Sequence, residues 1–374
     1  MKYRKNEKTG KDVSLLGFGA MRLPQNEDGS IDEAEAIRCI RYAIDNGVNY
    51  VDTAYPYHDG KSEPLVGKAL KDGYREKVIL ASKLPLWAIK KREDMYDLIA
   101  TQLDRLDDTF IDNYLIHDIN DESYNDVKKW DIISFMQEMK AAGKIGNIGF
   151  SYHGTTTEFF KELIDLFDWD FVQIQLNYMD VEYQAGVAGL KYAAAKGIPV
   201  VIMEPLRGGK LVDVIPDTIQ AFWDSTPVTR TPAEWALRWV ANFPEVLTIL
   251  SGMSSMAQVE DNIRILSEAD ADSLTAEELD IVAKVADEYH KRIPYGCTAC
   301  KYCLPCPVNI DIPHVIEVRN EVSVYGAKEK LTFAYESFLD PKPAVCITCR
   351  KCEEICPQHL PVSDIMTETA GIFA

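Results

Sequence analysis

Eight of the nine cysteines stand in two short runs near the end of the 374-residue chain. The first run is CTACKYCLPCP, from Cys297 to Pro307, and the second is CITCRKCEEICP, from Cys346 to Pro357. The second run has the spacing C-x2-C-x2-C-x3-C-P, whereas the last interval of the first run is one residue shorter. Because thiolates are ligands for soft metal centres, both runs predict metal sites.

The second spacing is that of ferredoxins, in which such a run binds a [4Fe–4S] cluster. Zinc is the competing metal, since C-x2-C pairs bind it well, but a zinc site has no use for a third cysteine three residues on. In two-cluster ferredoxins the fourth cysteine of each run binds the other cluster, and Cys306 is the ligand that departs from that pattern here. Carried over, the pattern predicts two clusters with these ligands: Cys297, Cys300, Cys303 and Cys356 for one, and Cys346, Cys349, Cys352 and Cys306 for the other.

A second set of reactive side chains follows three apolar runs, in VDTAYPY, LASKL and NYLIHD. A phenol titrates at about 10, and a nearby ammonium lowers that pKa by favouring the anion. We therefore expect Lys83 to make Tyr57 a usable general acid, with Asp52 keeping Lys83 charged. His117 is expected to donate to an oxygen on which negative charge develops.

Eight short β-branched or apolar runs, each followed by a stretch with helical spacing, must position these residues. They are VSLLGFGA, VNYVDTA, VILASKL, NYLIHDI, NIGFSYH, FVQIQLNY, PVVIMEPL and LTILSGM. This alternation predicts an α/β fold, a (β/α)8 TIM barrel over residues 1–290, with its chemistry at the carboxyl ends of the strands. Residues 291–374 are expected to form a small, mainly α-helical ferredoxin-like domain, because HVIEVRNEVSVYGAKEKLTFAYESF between the cysteine runs has helical spacing.

Over roughly residues 10–270 the chain resembles the aldo-keto reductases, which are (β/α)8 barrels. The resemblance rests on Asp52, Tyr57, Lys83 and His117 in the motifs quoted above. It implies carbonyl reduction with NAD(P)H, in which the tyrosine supplies the proton. The resemblance and the residues themselves together give the following cofactor-binding candidates: Gly19, Arg22, Ser151, Gln173, Met203, Pro205, Leu206, Arg207, Gly209, Gly252, Gln258 and Asn262.

Within that set, Ser151 and Gln173 match family positions near the nicotinamide carboxamide, and residues 205–209 match a cofactor-contacting loop. Arg22 and Arg207 are read from the residues themselves, since an arginine fork can bind an anionic substrate or a cofactor phosphate. Two departures from the family pattern leave the barrel cofactor open between FMN and NAD(P)H. Met203 replaces the aromatic residue that stacks on the nicotinamide, and Gly252 and Gln258 replace the Lys and Arg that clamp a 2′-phosphate.

The charge and the apolar content of the chain limit the kinds of molecule that it is expected to bind. A formal net charge of −19 argues against nucleic acid, which requires clustered cations. No apolar run approaches the roughly 20 residues that span a bilayer, so no membrane role is expected. The polar start MKYRKNEKTGKDV lacks the apolar core of an export signal, so the cytoplasm is the expected location.

The main hypothesis is an oxidoreductase that reduces a small carbonyl or oxidises an alcohol and passes electrons through two clusters. Because clusters move electrons singly and a hydride carries two, a flavin converter and an external carrier such as ferredoxin are candidates. One alternative is a conventional NAD(P)H-dependent reductase with structural or redox-sensing clusters. Another is a non-enzymatic redox-sensing binding module.

Overall fold

The computed structural model describes residues 1–297, 300–326 and 328–374. Thr298 and Ala299 of the first cysteine run and Ala327 of the predicted helical spacer lie outside the described residues. The chain divides into two compact units, which we call the barrel unit (residues 1–208 and 233–275) and the cysteine unit (residues 209–232 and 276–374). The predicted boundary between residues 290 and 291 stays a prediction.

Eight parallel strands form a closed barrel in the barrel unit, preceded by an antiparallel hairpin of β1 (Tyr3–Lys5) and β2 (Asp12–Ser14). Each of the eight apolar runs contributes one barrel strand, so the predicted TIM barrel is confirmed. The barrel strands are β3 (Leu16–Gly19), β4 (Tyr50–Asp52), β5 (Ile79–Pro85), β6 (Ile111–Ile119), β7 (Ile145–Tyr152), β8 (Phe171–Gln175), β9 (Val200–Met203) and β10 (Val246–Gly252).

Pairing between neighbouring strands brings the strand ends to one rim. Gly19 lies opposite Gly252 across the β3–β10 pair and opposite Asp52 across the β3–β4 pair. Ser151 of β7 lies opposite Gln173 of β8. One cluster of buried side chains fills the barrel, comprising Val13, Tyr50, Ala81, Leu115, Phe171, Val201, Leu247 and Leu250. The candidate residues therefore gather at the carboxyl edge of a packed core.

Fifteen α-helices are present in the described part of the chain. They are α1 (Glu33–Asp45), α2 (Ser62–Ala69), α3 (Asp94–Leu106), α4 (Tyr124–Lys129), α5 (Ile132–Ala141), α6 (Thr157–Leu166), α7 (Gly186–Ala195), α8 (Asp217–Asp224), α9 (Pro232–Ala241), α10 (Met256–Glu268), α11 (Ala276–Lys291), α12 (Ile312–Tyr325), α13 (Lys328–Phe338), α14 (Lys351–Glu354) and α15 (Val362–Ile372). None of them is both long and apolar enough to cross a membrane.

Helix α1 shows how the local sequence sets these elements. The Asp32 carboxylate accepts the Glu35 N–H and caps the helix start, where Glu33 adds a favourable negative charge. Cys39 and its apolar neighbours lie along the buried face. The polar side chains between them face outward, and the pattern therefore gives an amphipathic helix against the barrel.

The cysteine unit is mainly helical, as predicted, and the spacer between the cysteine runs forms the two helices α12 and α13. Asp311 caps α12 by accepting the His314 N–H, and α12 ends at Gly326, whose φ of +66° is left-handed. Helices α12, α13 and α15, with one residue before α12 and one after α13, supply its apolar cluster: Ile310, Ile312, Val315, Ile316, Val318, Tyr335, Leu339, Val362, Ile365 and Met366. Five partly buried cysteines pack against it: Cys297, Cys303, Cys306, Cys346 and Cys352.

Candidate active site

A buried ion pair lies at the ends of β4 and β5. The side chains of Asp52 and Lys83 are 3% and 1% exposed. Lys83 Nζ donates to Asp52 Oδ1 at 2.6 Å and to the Thr53 carbonyl oxygen at 2.9 Å. Because isolated charges are not tolerated in a protein interior, these contacts fix the ammonium in one place.

Tyr57 stands next to this pair on the loop that follows β4. Lys83 Nζ lies 4.9 Å from the centroid of the Tyr57 ring. Burial lowers the pKa of Lys83, but Asp52 and Tyr57 together raise it by more, so the ammonium stays charged. Burial also raises the pKa of Tyr57, and the opposing effect of Lys83 is smaller. The expected lowering of the Tyr57 pKa is therefore wrong, because desolvation outweighs the neighbouring charge.

His117, near the end of β6, completes the set of four. Its ring centroid lies 6.1 Å from that of Tyr57, in an edge-on arrangement. Burial lowers the pKa of His117 well below its ordinary value, and Lys83 and His153 act in the same direction. The imidazole is therefore neutral at pH 7. Its buried Nδ1 has no hydrogen-bond partner in the described structure and is free to contact a ligand.

Trp87 belongs to the same site and was missed by the sequence reasoning. It lies in a short turn after β5, is 56% exposed, and its ring centroid is 5.1 Å from that of His117. An aromatic residue just beyond the LASKL strand was the available signal. Its contact with His117 depends on the turn conformation, which residue spacing does not specify.

The loop that carries Tyr57 has an unusual backbone. His58, Asp59 and Gly60 have φ values of 51°, 54° and 81°, and the left-handed region is costly for the two non-glycine residues. His58 Nε2 accepts the Leu23 N–H at 3.1 Å, which joins this loop to the one that follows β3. The strained turn is thus held by contacts from outside it.

A buried carboxylate accepts several hydrogen bonds close to this loop. It was also missed from the sequence. Glu63 of α2 is fully buried. It accepts hydrogen bonds from Ser82 Oγ at 2.7 Å, Gln102 Nε2 at 2.7 Å and Arg105 Nη1 at 3.1 Å. These three donors come from β5 and α3, so one carboxylate joins α2 to two other elements.

The hydrogen bonds around Glu63 also reach the Tyr57 loop and the strand of Lys83. Arg105 Nη1 also donates to the Tyr55 carbonyl oxygen at 3.1 Å, two residues before Tyr57. Gln102 Nε2 also donates to the Lys83 carbonyl oxygen at 3.1 Å. The loop with the tyrosine and the strand with the lysine are therefore tied to one buried carboxylate.

Two buried polar atoms on β7 and β8 have no hydrogen-bond partner in the described structure: Ser151 Oγ and Gln173 Oε1. The Gln173 Nε2 donates to Met203 Sδ at 3.2 Å. Leaving such groups buried and unpaired is costly, so they fit a ligand that presents both a donor and an acceptor. The amide edge of a nicotinamide and the pyrimidine edge of a flavin both do so.

Arg22 extends across Gly252 on the same rim. A Cβ at Gly252 would approach Arg22 Cβ to 3.1 Å, so glycine leaves room for the arginine. Arg22 is exposed, and Gly19 lies beside this position through its pairing with Gly252. The structure thus brings Gly19, Arg22 and Gly252 together.

Three other cofactor candidates form an ion pair or hydrogen bonds with neighbouring residues of the protein. Arg207 Nε pairs with Asp180 Oδ2 at 3.2 Å. The Gln258 Oε1 accepts the Ser254 N–H at 2.8 Å. The amide of Asn262 donates to Ser251 Oγ at 2.9 Å. Of the remaining candidates, Pro205 and Leu206 follow β9 in the barrel unit, whereas Gly209 belongs to the cysteine unit.

The cysteines line two cavities of the cysteine unit. A cavity of about 280 Å³, the Cys306 cavity, is lined by Cys303, Cys306, Cys346, Cys349 and Cys352. The second, the Cys356 cavity, is lined by Cys297, Cys300, Cys303 and Cys356. Each cavity is lined by cysteines of both runs, and Cys303 lines both cavities. Sets of thiols such as these fit thiolate-bound clusters.

A single metal ion has a different requirement, since tetrahedral zinc needs its ligands at about 2.0–2.3 Å from one point. Across residues 1–297, 300–326 and 328–374, no three His, Cys, Asp or Glu side chains converge to hold one ion. The thiols instead spread over cavity walls. Burial raises the pKa of the Cys303 thiol to about 11, so binding as a thiolate requires a strongly attracting centre.

Comparison with known proteins gives family matches for two successive parts of the chain. Residues 15–287 match the aldo/keto reductase family, and residues 296–360 match the 4Fe-4S dicluster domain. L-galactose dehydrogenase of Arabidopsis thaliana is 27% identical over 302 residues, 75% of this chain and 92% of that protein. NADH-specific methylglyoxal reductase of Escherichia coli is 25% identical over 312 residues, 69% and 93% of the two chains.

An aldo-keto reductase structure from Bacillus halodurans, in its holo form, superimposes with a TM-score of 0.64 at 28% identity. The match covers 76% of this chain and 96% of that one. The four polar residues at the strand ends thus stand in the barrel of an oxidoreductase. The chain belongs to the aldo/keto reductase family, with a 4Fe-4S dicluster domain following the barrel.

Proposed function

We propose that the barrel reduces a small carbonyl compound, or oxidises the corresponding alcohol, and exchanges electrons with two [4Fe–4S] clusters. The observation that carries this proposal is the buried Lys83 ammonium, held by Asp52 and facing Tyr57. Such an arrangement serves proton transfer at an oxygen whose charge changes during reaction. A buried ion pair of purely structural use has no need of an adjacent, half-buried phenol.

Tyr57 is the general acid in the reducing direction. Its raised pKa keeps the phenol protonated at neutral pH, so a proton is always present to be given. As negative charge develops on the substrate oxygen, the proton moves from the Tyr57 hydroxyl to that oxygen. The Lys83 ammonium then stabilises the phenolate that remains.

His117 polarises the carbonyl. A neutral imidazole can donate one N–H to the substrate oxygen without competing with Tyr57 for a proton. The lowered pKa of His117 ensures that neutral state, because burial and Lys83 both disfavour the imidazolium. Trp87 packs beside this ring and covers one side of the substrate position.

FMN or NAD(P)H is the proposed cofactor of the barrel. The buried, unpaired atoms of Ser151 and Gln173 would hold its amide edge. A hydride is the chemistry that either cofactor supplies when bound. Met203, in place of an aromatic residue, can pack softly against a nicotinamide or the wider isoalloxazine. L-galactose and methylglyoxal, named for the two relatives, support a small carbonyl or alcohol as substrate.

The proposed ligands follow the two cavities. Cys306, Cys346, Cys349 and Cys352 hold one cluster, and Cys297, Cys300, Cys303 and Cys356 hold the other. An external one-electron carrier such as ferredoxin is the proposed partner. Because thiolate-bound iron requires a reducing compartment, we propose the cytoplasm as the location.

Equilibrium binding of FMN, NADH and NADPH to the anaerobic full-length protein tests the cofactor. NADPH should bind no more tightly than NADH, because Gly252 has no charge and Gln258 is engaged by Ser254. Each missing charge-assisted partner would contribute about 1.5–3 kcal/mol. A clear preference for NADPH over NADH and FMN would favour the rival, a conventional reductase with structural or redox-sensing clusters.

A further inference from the structure

One buried hydroxyl group belongs to the lining of the Cys306 cavity. Ser363 is the second residue of α15 and is 2% exposed. It lines that cavity together with cysteines of both runs. Among the residues that the structure describes, its Oγ has no hydrogen-bond partner. Because a buried hydroxyl without a partner is costly, this group fits a bound molecule that accepts a hydrogen bond.

The ordinary structural uses of a serine in a helix do not account for this hydroxyl. Pro361 occupies the N-cap position of α15, so Ser363 does not cap the helix. A hydroxyl inside a helix often donates to the carbonyl oxygen four residues earlier, as Thr367 Oγ1 does to that of Ser363 at 3.0 Å. The Ser363 hydroxyl forms no such bond in the described part of the chain. It is therefore available to a group bound in the cavity.

The backbone of Ser363 is held independently of its side chain. Its N–H donates to Glu353 Oε1 at 2.8 Å, and its carbonyl oxygen accepts the bond from Thr367. Both contacts use main-chain atoms of Ser363, so Ser363→Ala retains them. The charges nearby, on Glu353 and on the cavity residues Arg350 and Lys351, are also the same in that variant. The substitution therefore isolates the effect of the hydroxyl.

The Cys356 cavity has no counterpart to this hydroxyl. Apart from its cysteines, the polar side chains of its lining are those of Lys301, Tyr302 and Gln358. None of the described residues in that lining has a buried side-chain nitrogen or oxygen without a partner. The two cavities thus share a lining of thiols and differ in the buried hydroxyl of Ser363.

We propose that the Ser363 hydroxyl donates a hydrogen bond to a sulfur of the cluster in the Cys306 cavity and raises the reduction potential of that cluster. This inference rests on the proposed function, because it needs a cluster there. The sulfur atoms of a cluster become more negative when it takes up an electron. A hydrogen-bond donor therefore stabilises the reduced cluster more than the oxidised one. Reduction adds one electron, the hydroxyl keeps its proton, and no covalent bond is made or broken.

The test is a potentiometric titration of the anaerobically purified full-length protein, with iron and acid-labile sulfide measured first. Dithionite supplies electrons through dye mediators, and visible absorption and electron paramagnetic resonance follow the reduction of each cluster. The variants are Ser363→Ala, which removes the hydroxyl, and Ser363→Thr, which keeps one. The matched control is Thr369→Val, which removes another buried hydroxyl of α15, one that donates to the Ile365 carbonyl oxygen at 2.7 Å.

Ser363→Ala should lower the equilibrium constant for reduction of one cluster about tenfold, which corresponds to about 59 mV for one electron. The other cluster should keep the parent potential, and the iron and sulfide contents should not change. Ser363→Thr should restore most of the parent potential, and Thr369→Val should leave both potentials unchanged. Transfer from H2O to D2O should shift the Fe–S stretching bands of the parent in resonance Raman spectra, and Ser363→Ala should reduce that shift.

Parent potentials for both clusters in Ser363→Ala would overturn the proposal. An equal lowering in Thr369→Val would also overturn it, because any loss of a buried hydroxyl from α15 would then have the same effect. Lowered potentials of both clusters in Ser363→Ala would show that the hydroxyl does not act on one cluster and would overturn it too. A parent protein without iron and sulfide would contradict the proposed function itself, before any potential is measured.

Discussion

The two sites of this protein are built in opposite ways. In the barrel, Asp52 and Lys83 are almost fully buried and bonded to each other, so these two charges are positioned by folding alone. The eight cysteines of the two runs are half-buried or exposed and line the walls of cavities. The difference shows that contacts within the protein preorganise the barrel site, whereas the thiols on the cavity walls are suited to being joined by a bound group.

Tyr57→Phe should give the largest effect, because it removes the transferred proton and leaves the buried ion pair. Carbonyl reduction should fall by at least about 10²-fold, the usual contribution of a general acid. Iron content and cofactor binding should not change. Tyr55→Phe, on the same loop, is the control and should retain activity. Near-parental turnover of Tyr57→Phe would contradict the assignment of the acid.

Cys352→Ala should affect the other region only. Iron content is expected to fall by about one cluster of two, and the cysteine unit should become less stable, because thiolate binding contributes to folding. Cys39→Ala, which removes a buried barrel cysteine, should leave the iron unchanged. Zinc without acid-labile sulfide in the parent protein would refute the cluster interpretation.

Glu63→Gln tests whether the barrel site is truly preorganised. Loss of the charge-assisted bonds from Arg105 and its neighbours should lower the free energy of unfolding by about 1.5–3 kcal/mol. It should also lower kcat more than it changes KM, because Tyr57 and Lys83 lose a common support. Glu33→Gln, whose partner Lys68 is exposed, is the matched control. A stability loss without any change in kcat would show that the network is only structural.

The smallest effect concerns pH. The pKa of His117 is lower in the folded protein than its ordinary value of about 6.5. At pH values between these two pKa values, the unfolded chain therefore binds more protons than the folded protein does. Stability should therefore fall as the pH drops below about 6.5, and His117→Gln should reduce that fall. Thermal unfolding between pH 7 and pH 5 measures it. An identical pH dependence of stability in the parent protein and in His117→Gln would show that His117 contributes nothing to that dependence.

The sequence predicts the repeating parts of this molecule well. The eight strands follow from apolar runs, because each strand is a local pattern of a few residues. The cysteine runs are equally local, and their spacing was enough to predict an iron–sulfur domain. Tyr57, Lys83 and Asp52 come together because parallel strands end on one rim.

Other features depend on contacts that are distant in the chain. Glu63, Gln102 and Arg105 meet only after α2 and α3 have packed, and no spacing rule relates them. The contact of Trp87 with His117 depends on a turn conformation. The Tyr57 pKa was predicted in the wrong direction, because the balance of burial against charge requires distances and exposure that a sequence does not contain.

The proposed function requires that the barrel site and the clusters exchange electrons. The most direct measurement is the visible spectrum of the anaerobic full-length protein, with its clusters verified, after addition of NADH with and without FMN. The broad cluster absorption should bleach when FMN is present to convert two electrons into single steps. Clusters that stay oxidised while NADH reduces methylglyoxal at an undiminished rate would contradict it.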